Sequence, residues 1–489
     1  MTVGGACSCD DGSALDRATI PGLQRCRTLG CLDAVGLTEA YLDRIGRLDG
    51  VVRAVLALDP TAIAQAAASD RRRKAGKLRG PLDGIPVLLK DNIDTAGLPT
   101  TAGSRALARG RPARDAELVR RLRAAGAVIL GKANLSEWGN FRSSGAVSGW
   151  SAVGGQTRNP HAPDRSPSGS SSGPAAGVAA GFAQVAVGTE TDGSLVCPAG
   201  TNGVVGVKPS RGLVGVDGVV PVCRARDCAG PIARNVVDTA LALSVLAPGT
   251  RGLVPSDQPS ALRAARIGLW RMPAYGEDVD RLMTRVGELL RERGAEVVEV
   301  DVEVERTRDL LSGVLPTEFR RDIEDYLRTR DDGPGGLAEL IDFHRDDPLE
   351  RTCFAGLDLF EQSLAAPGPE DPGYRARRAE LARRASRSID DLLTRHRLDA
   401  LAAPTNPPAR PIDCRTGDDG FPPTSTPAAV AGYPSVSVPA GFVGPLPVGV
   451  SFMAGRRADA RVLALAAAYE RAADARRPPR IATSPTDPV

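Results

Sequence analysis

The sequence predicts an α/β fold. Short apolar runs at 85–89, 182–187, 266–270 and 296–302 have the length and composition of buried strands. Helix-compatible segments at 175–181 and 279–293 fall between them, so strand and helix alternate along the chain. With 489 residues, 42% of them apolar, there is material for a large core.

The elements follow in order. Residues 1–14 read as disordered, within an N-terminal extension over 1–32. Helices are expected over 33–75, where Leu37, Tyr41, Ile45 and Leu48 recur at helical spacing. The stretch 80–240 is the strand–helix core that carries the candidate site. A turn-rich boundary at 249–259 leads to the strand 266–270, the helix 279–293 and the strand 296–302. Residues 303–395 form a helical excursion rich in arginine and acid, after which the chain returns to the core at 399–404. The core is thus 80–302 and 396–476, and 477–489 is a proline-rich tail.

Composition excludes several function classes. A net charge of +3 gives no reason to invoke nucleic acid or membrane. There is no run of eighteen apolar residues and no basic-then-apolar leader, so a soluble cytoplasmic protein is expected. The nine cysteines include the close pairs Cys7/Cys9, Cys26/Cys31 and Cys223/Cys228, none with zinc-ligand context; reduced, structural thiols and no metal site are expected.

Lysine is the informative residue because it is scarce. Of 62 basic residues only Lys74, Lys77, Lys90, Lys132 and Lys208 are lysine. Arginine stays charged at any working pH, whereas a buried lysine can lose its proton and act as a base. Lys74 and Lys77 sit in a solvated charged stretch. Lys90 ends the apolar run at 85–89, the place of a buried catalytic group. Asp91 follows it, but neighbours on a strand face opposite sides, so Asp91 need not hold the charge on Lys90. Lys132 and Lys208 read as anchors of turns.

Serines are the candidate partners. Residues 166–174 read Ser-Pro-Ser-Gly-Ser-Ser-Ser-Gly-Pro, and Gly188-Thr-Glu-Thr-Asp-Gly-Ser194 follows. Such a Ser/Gly run is usually a linker, yet Ala-Ala-Gly-Val-Ala-Ala-Gly-Phe directly after it is packing material. Gly193-Ser194 suits a nucleophile beside consecutive backbone donors. His161 lies in a loop, and His344 and His396 lie in arginine-rich helices expected to be exposed. None reads as a placed base, so serine with lysine is favoured over Ser-His-Asp.

These residues resemble the amidase signature family. The matching pieces are Pro81-Leu-Asp-Gly-Ile-Pro-Val-Leu-Leu-Lys-Asp-Asn92, Gly131-Lys-Ala-Asn134, Gly155-Gln-Thr-Arg-Asn-Pro160, Gly169-Ser-Ser-Ser-Gly173, Gly188-Thr-Glu-Thr-Asp-Gly-Ser194 and Ala431-Gly-Tyr-Pro-Ser-Val-Ser-Val-Pro-Ala-Gly441, within about residues 35 to 475. The resemblance implies one compact α/β unit over 33–476, a mixed twisted sheet covered by helices on both faces. It also implies a Ser-cisSer-Lys triad of Ser194 as nucleophile, Ser170 as bridge and Lys90 as base, with a cis Gly169–Ser170 peptide. Backbone N–H groups of Thr191, Asp192, Gly193 and Ser194 would form the oxyanion hole. No cofactor is implied, and 303–395 would cap the cleft.

Departures narrow the branch. Many members carry Gly-Gly-Ser-Ile-Arg at the nucleophile; here it is Asp192-Gly193-Ser194-Leu195-Val196-Cys197. With Asn134-Leu-Ser-Glu-Trp138 and Asn140-Phe-Arg-Ser-Ser144 this resembles the peptide amidases, which makes Ser143 and Ser144 candidates for substrate contact. Pro174 is expected to reshape the pocket, and Cys197 to be a packing residue. The implied activity is hydrolysis of a small-molecule or peptide amide; a homodimer is left open. The alternatives are an amide-forming acyltransferase, the glutamine-hydrolysing component of a tRNA amidotransferase, and a catalytically silent binding paralogue.

Overall fold

Eleven strands make one mixed sheet in the computed structural model, which describes residues 12–255, 259–331, 333–353, 356–418 and 423–481. Residues 1–11, with Cys7 and Cys9, and 482–489 of the expected tail lie outside the described residues. The strands are β1 (Val55–Leu58), β2 (Pro86–Lys90), β3 (Val128–Ala133), β4 (Val185–Glu190), β5 (Val205–Lys208), β6 (Cys228–Ala233), β7 (Arg266–Trp270), β8 (Glu296–Val300), β9 (Ala400–Pro404), β10 (Ser435–Val443) and β11 (Leu446–Met453). Their order across the sheet is β1-β3-β2-β4-β6-β5-β10-β11-β9-β7-β8. The β3-β2-β4 and β9-β7-β8 neighbours are parallel and the remaining pairs antiparallel. Helices flank the sheet, and this is the mixed α/β architecture that the sequence predicts.

Strand β2 lies between two parallel neighbours and is buried at all five positions. Its residues Val87, Leu88 and Leu89 are apolar on both faces, as a doubly covered strand requires. The single main core also takes in Ile20 and Leu23 of the Ile20–Thr28 helix, and the Ile20 N–H donates to Asp238 at 2.8 Å.

Two expected elements shift. The strand read at 182–187 starts at Val185, because Phe182 closes the preceding Ser172–Ala179 helix: its N–H donates to Gly177 O at 2.7 Å after Gly181 turns left-handed (φ 73°). Strand β1 interrupts the helices expected over 33–75; it is a half-buried edge strand of four apolar residues, Val-Leu-Ala-Leu, a run too short for its pattern to separate strand from helix.

The excursion contains the helices Glu305–Ser312, Leu315–Leu327, Leu337–Asp346, Asp358–Ala365 and Pro372–Arg395. It packs through its own apolar cluster, in which Phe319, Leu340 and Phe360 meet Leu107, Trp138 and Phe141 of the core loops. Two expectations fail here. His344 is fully buried, since its helix turns that face onto Trp138 and Phe360. Cys353 and Cys414 form a disulfide that joins the excursion to the 405–418 loop, so the thiols are not all reduced. A separation of 61 residues gave no sequence signal for that pairing. Cys26, Cys31, Cys197, Cys223 and Cys228 remain thiols. No helix among the described residues is long and apolar enough to cross a membrane.

Candidate active site

Lys90 ends strand β2 with 1% of its surface exposed. Its Nζ lies 2.7 Å from Ser170 Oγ, 2.9 Å from Thr189 Oγ1 and 3.3 Å from the Thr189 carbonyl. No carboxylate among the described residues touches it. Burial lowers the amine to about 7, against Asp227 and Glu190, which act in the opposite sense from farther off. Asp91 faces the other way and pairs with Lys132 at 3.1 Å. Lys132 also donates to the Ile93 and Pro99 carbonyls (2.7 and 3.0 Å), and Lys208 to the Pro209 carbonyl (3.1 Å); both are anchors of turns, as read from the sequence.

The Ser/Gly run is a packed loop, not a linker. Ser170, Ser171 and Ser172 are buried, Ser171 Oγ donates to Thr189 O at 3.0 Å, and Ser172 Oγ donates to Ser168 O at 2.6 Å. The Gly169–Ser170 peptide is cis. Gly169 is required sterically: a Cβ there would stand 2.1 Å from Ser136 Oγ. The Ser194 carbonyl accepts from the Ser171 N–H at 3.2 Å, which brings the turn after β4 against this loop.

That turn presents its backbone. Glu190 Oε2 accepts from the N–H groups of Leu195 and Val196, at 2.8 and 3.1 Å. Among the described residues, the four preceding N–H groups, on Thr191, Asp192, Gly193 and Ser194, have no hydrogen-bond partner. The side chains around them are fixed: Asp192 accepts from Ser425 and Thr426 at 2.7 Å each, and Thr191 donates to Asp227 at 2.5 Å. Gly193 adopts φ 79° where a Cβ would meet Ser425 Oγ at 2.9 Å. The turn thus carries four consecutive unpaired N–H donors between side chains that are held in place.

A void of about 20 Å³, room for one water, is lined by Lys90, Asn92, Ser170, Thr189, Asp227 and Trp138 among others. Of two larger cavities, one of about 580 Å³ takes in Asp192 of this turn with Phe141 and Arg308, and one of about 360 Å³ takes in Cys197 of the following helix with Tyr275 and Arg410. Pro174, in the first turn of its helix, lines none of the three. The Cys197 thiol is pushed far up by burial and by Glu190 and Asp192, which deprives it of thiolate.

Ser143 and Ser144 line none of these three cavities. The Ser143 hydroxyl donates to Asp358, and the Ser144 N–H reaches both its oxygens at 3.2 Å, so the pair holds the Asp358–Ala365 helix to the core. Sequence reasoning missed Thr189 and Asn92, whose side chains meet at 3.0 Å behind Lys90. Strand alternation offered a signal for Thr189, because β4 is the parallel neighbour of β2. Away from the site, Glu137, His344 and Glu350 bring metal-type donor atoms within 4.8 Å of one another. Arg142 already pairs with Glu137 there, at 2.6 Å.

The sequence profile of the Amidase family matches residues 36–463. The chain belongs to the amidase signature family. It is 34% identical to a probable amidase of Arabidopsis thaliana over 96% of this chain and 92% of that one. It is also 34% identical to the A component of the glutamyl-tRNA(Gln) amidotransferase of Salinispora arenicola, over 96% and 100%. Among solved structures, the native peptide amidase of Stenotrophomonas maltophilia superposes with TM-score 0.89 at 44% identity, covering 95% of this chain and 99% of that one. The peptide amidase bound to the competitive inhibitor chymostatin gives 0.90 at 45%, with the same coverage. This amidase is therefore an amide hydrolase by family, and it is similar to the peptide-amidase branch that the motifs indicated.

Proposed function

We propose that this amidase hydrolyses C-terminal peptide amides and related small amides through an acyl-enzyme on Ser194. The observation that carries the reading is Lys90: a buried amine, lowered to about 7, whose contacts at Ser170 and Thr189 include no acid. Neutral Lys90 accepts the Ser170 proton as Ser170 takes that of Ser194. The Ser194 oxygen bonds to the amide carbon, and the carbonyl electrons move onto an oxygen facing the N–H groups of 191–194. Collapse breaks the C–N bond while the relay returns the proton to the departing nitrogen, which leaves as ammonia or an amine. Water then enters by the same relay, frees the acid and restores Ser194.

The tRNA amidotransferase reading is carried by relatives at 34% identity, with one solved homologue of that type at TM-score 0.70 and 26%. The peptide amidases lie nearer, at 0.90 and 45%. Ammonia release separates the two readings. The purified chain alone should deamidate a C-terminal peptide amide; activity confined to glutamine and dependent on added partner proteins would refute the proposal. Product analysis with an added amine distinguishes hydrolysis from acyl transfer.

A further inference from the structure

Three consecutive residues beside Lys90 and Ser170 have left-handed backbone: Trp138, Gly139 and Asn140, at φ 49°, 70° and 67°. Glycine adopts this freely, but tryptophan does so only where its surroundings hold it there. Trp138 and Gly139 both line the water-sized chamber that contains Lys90, and a Cβ on Gly139 would stand 3.8 Å from Ser170 Oγ. One end of the turn is tied by Asn140, which donates to Ser148 Oγ at 3.1 Å. The other end is tied from 206 residues away: the Trp138 indole N–H donates to His344 Nε2 at 3.1 Å.

The His344 ring is set for that task. Its Nδ1 lies 2.8 Å from the Leu340 carbonyl. A carbonyl only accepts and an indole only donates, so the proton sits on Nδ1 and the lone pair on Nε2. Phe360 packs edge-on against both the imidazole and the indole. Nothing in the catalytic steps above uses this ring.

We propose that His344 is a positioning residue for the active site, holding the Trp138–Asn140 turn as the wall that keeps bulk water from Lys90 and Ser170. The helical excursion thereby contributes to the relay without touching it. The inference rests on Lys90 acting as the base. Glu137 and Glu350 lie 3.4 and 3.5 Å from Nε2, with Arg142 between them, 2.6 Å from Glu137 and 3.8 Å from Glu350. That donor set resembles a cation site, and Glu350 Oε2 has no hydrogen-bond partner among the described residues. The indole N–H, however, already occupies the imidazole lone pair, and Arg142 supplies the positive charge. The cluster orients a ring.

The test follows kcat/KM against pH for an amide that the wild type turns over, with thermal unfolding alongside, in His344→Leu, His344→Gln, Trp138→Phe and the Leu/Phe double variant. Besides Ser170 and Thr189, the charged groups facing Lys90 are Asp227 and Glu190, unchanged in all four. Water admitted to the chamber stabilises the Lys90 ammonium, so the acid limb of His344→Leu should move up by about half a pH unit or more. Its kcat near pH 7 should fall roughly five- to twentyfold with little change in KM, as for a misplaced relay. Trp138→Phe should do the same, the double variant should be no worse than the poorer single one, and His344→Gln, which keeps an acceptor, should recover the limb. A folded His344→Leu enzyme with the wild-type limb, or additive effects in the double variant, overturns the proposal. So does stoichiometric Zn²⁺ binding by wild type that His344→Leu abolishes. If His344→Leu does not fold, Trp138→Phe decides alone. A wild type with no acid limb at all brings down the role of Lys90 and this inference with it.

Discussion

At the scale of the residue, Lys90 sets function against stability. Unfolded, its amine titrates at 10.5; folded, at about 7, because burial penalises the ammonium. Between those pH values the unfolded chain binds more protons than the folded one, so stability should rise with pH from 7 to 10.5. The cost at pH 7 is on the order of 4 kcal/mol. Lys90→Met should therefore be inactive yet melt higher than wild type at pH 7, with the gap closing towards pH 10; equal melting temperatures at pH 7 would contradict the folded-state value. Ser170→Ala should keep the fold and lose roughly 10²–10⁴ in kcat, the range for a positioned acid–base group, as single-turnover acylation would measure. An adduct from a serine-directed inhibitor should appear on Ser194 alone in mapped peptides.

At the scale of the element, the Ser/Gly loop works because glycine and serine fit where nothing larger does. Gly169→Ala places a methyl group 2.1 Å from Ser136 Oγ. It should lower stability by about 1–3 kcal/mol, the range for an overpacked core, and nearly abolish turnover; denaturant melts with unchanged activity would contradict this. Here the sequence was legible: the apolar run before Lys90 and the small residues after Ser172 become β2 and the Ser172–Ala179 helix. Phe182 misled because a fully buried aromatic ring closing a helix and one opening a strand have the same local signal. The partner of Ser143 and Ser144 was illegible for a different reason. Their motif is local, but the carboxylate that engages them, Asp358, arrives from another helix 214 or 215 residues on. His344 and the Cys353–Cys414 pair were illegible on the same ground, since tertiary packing alone brings their partners to them.

At the scale of the whole molecule, the excursion is fastened to the core by Glu318, which is fully buried. It accepts from Arg226 of the core, from Arg378 at 3.0 Å and from Tyr374 at 3.1 Å. Burial alone would raise the Glu318 carboxyl; Arg226, Cys223 and Arg378 outweigh it and hold the group low. Its contribution is present above the ordinary glutamate value near 4.5 and is lost as the pH falls through the lower folded value. Removing one partner of a buried pair strands the other, so Glu318→Ala should cost about 3–5 kcal/mol in denaturant unfolding at pH 7. A loss under about 1 kcal/mol would show that Glu318 does not fasten the excursion.

The central claim, that neutral Lys90 drives Ser194 through Ser170, is tested most directly by the acylation rate of Lys90→Arg. Arginine replaces lysine freely across this surface, yet guanidinium holds its proton above pH ~12 and cannot serve as the base. The account predicts a folded enzyme at least a hundredfold slower than wild type and about as slow as Lys90→Ala. A Lys90→Arg enzyme that keeps more than about a tenth of the wild-type rate, a loss under ~1.4 kcal/mol, would mean that Lys90 supplies only charge.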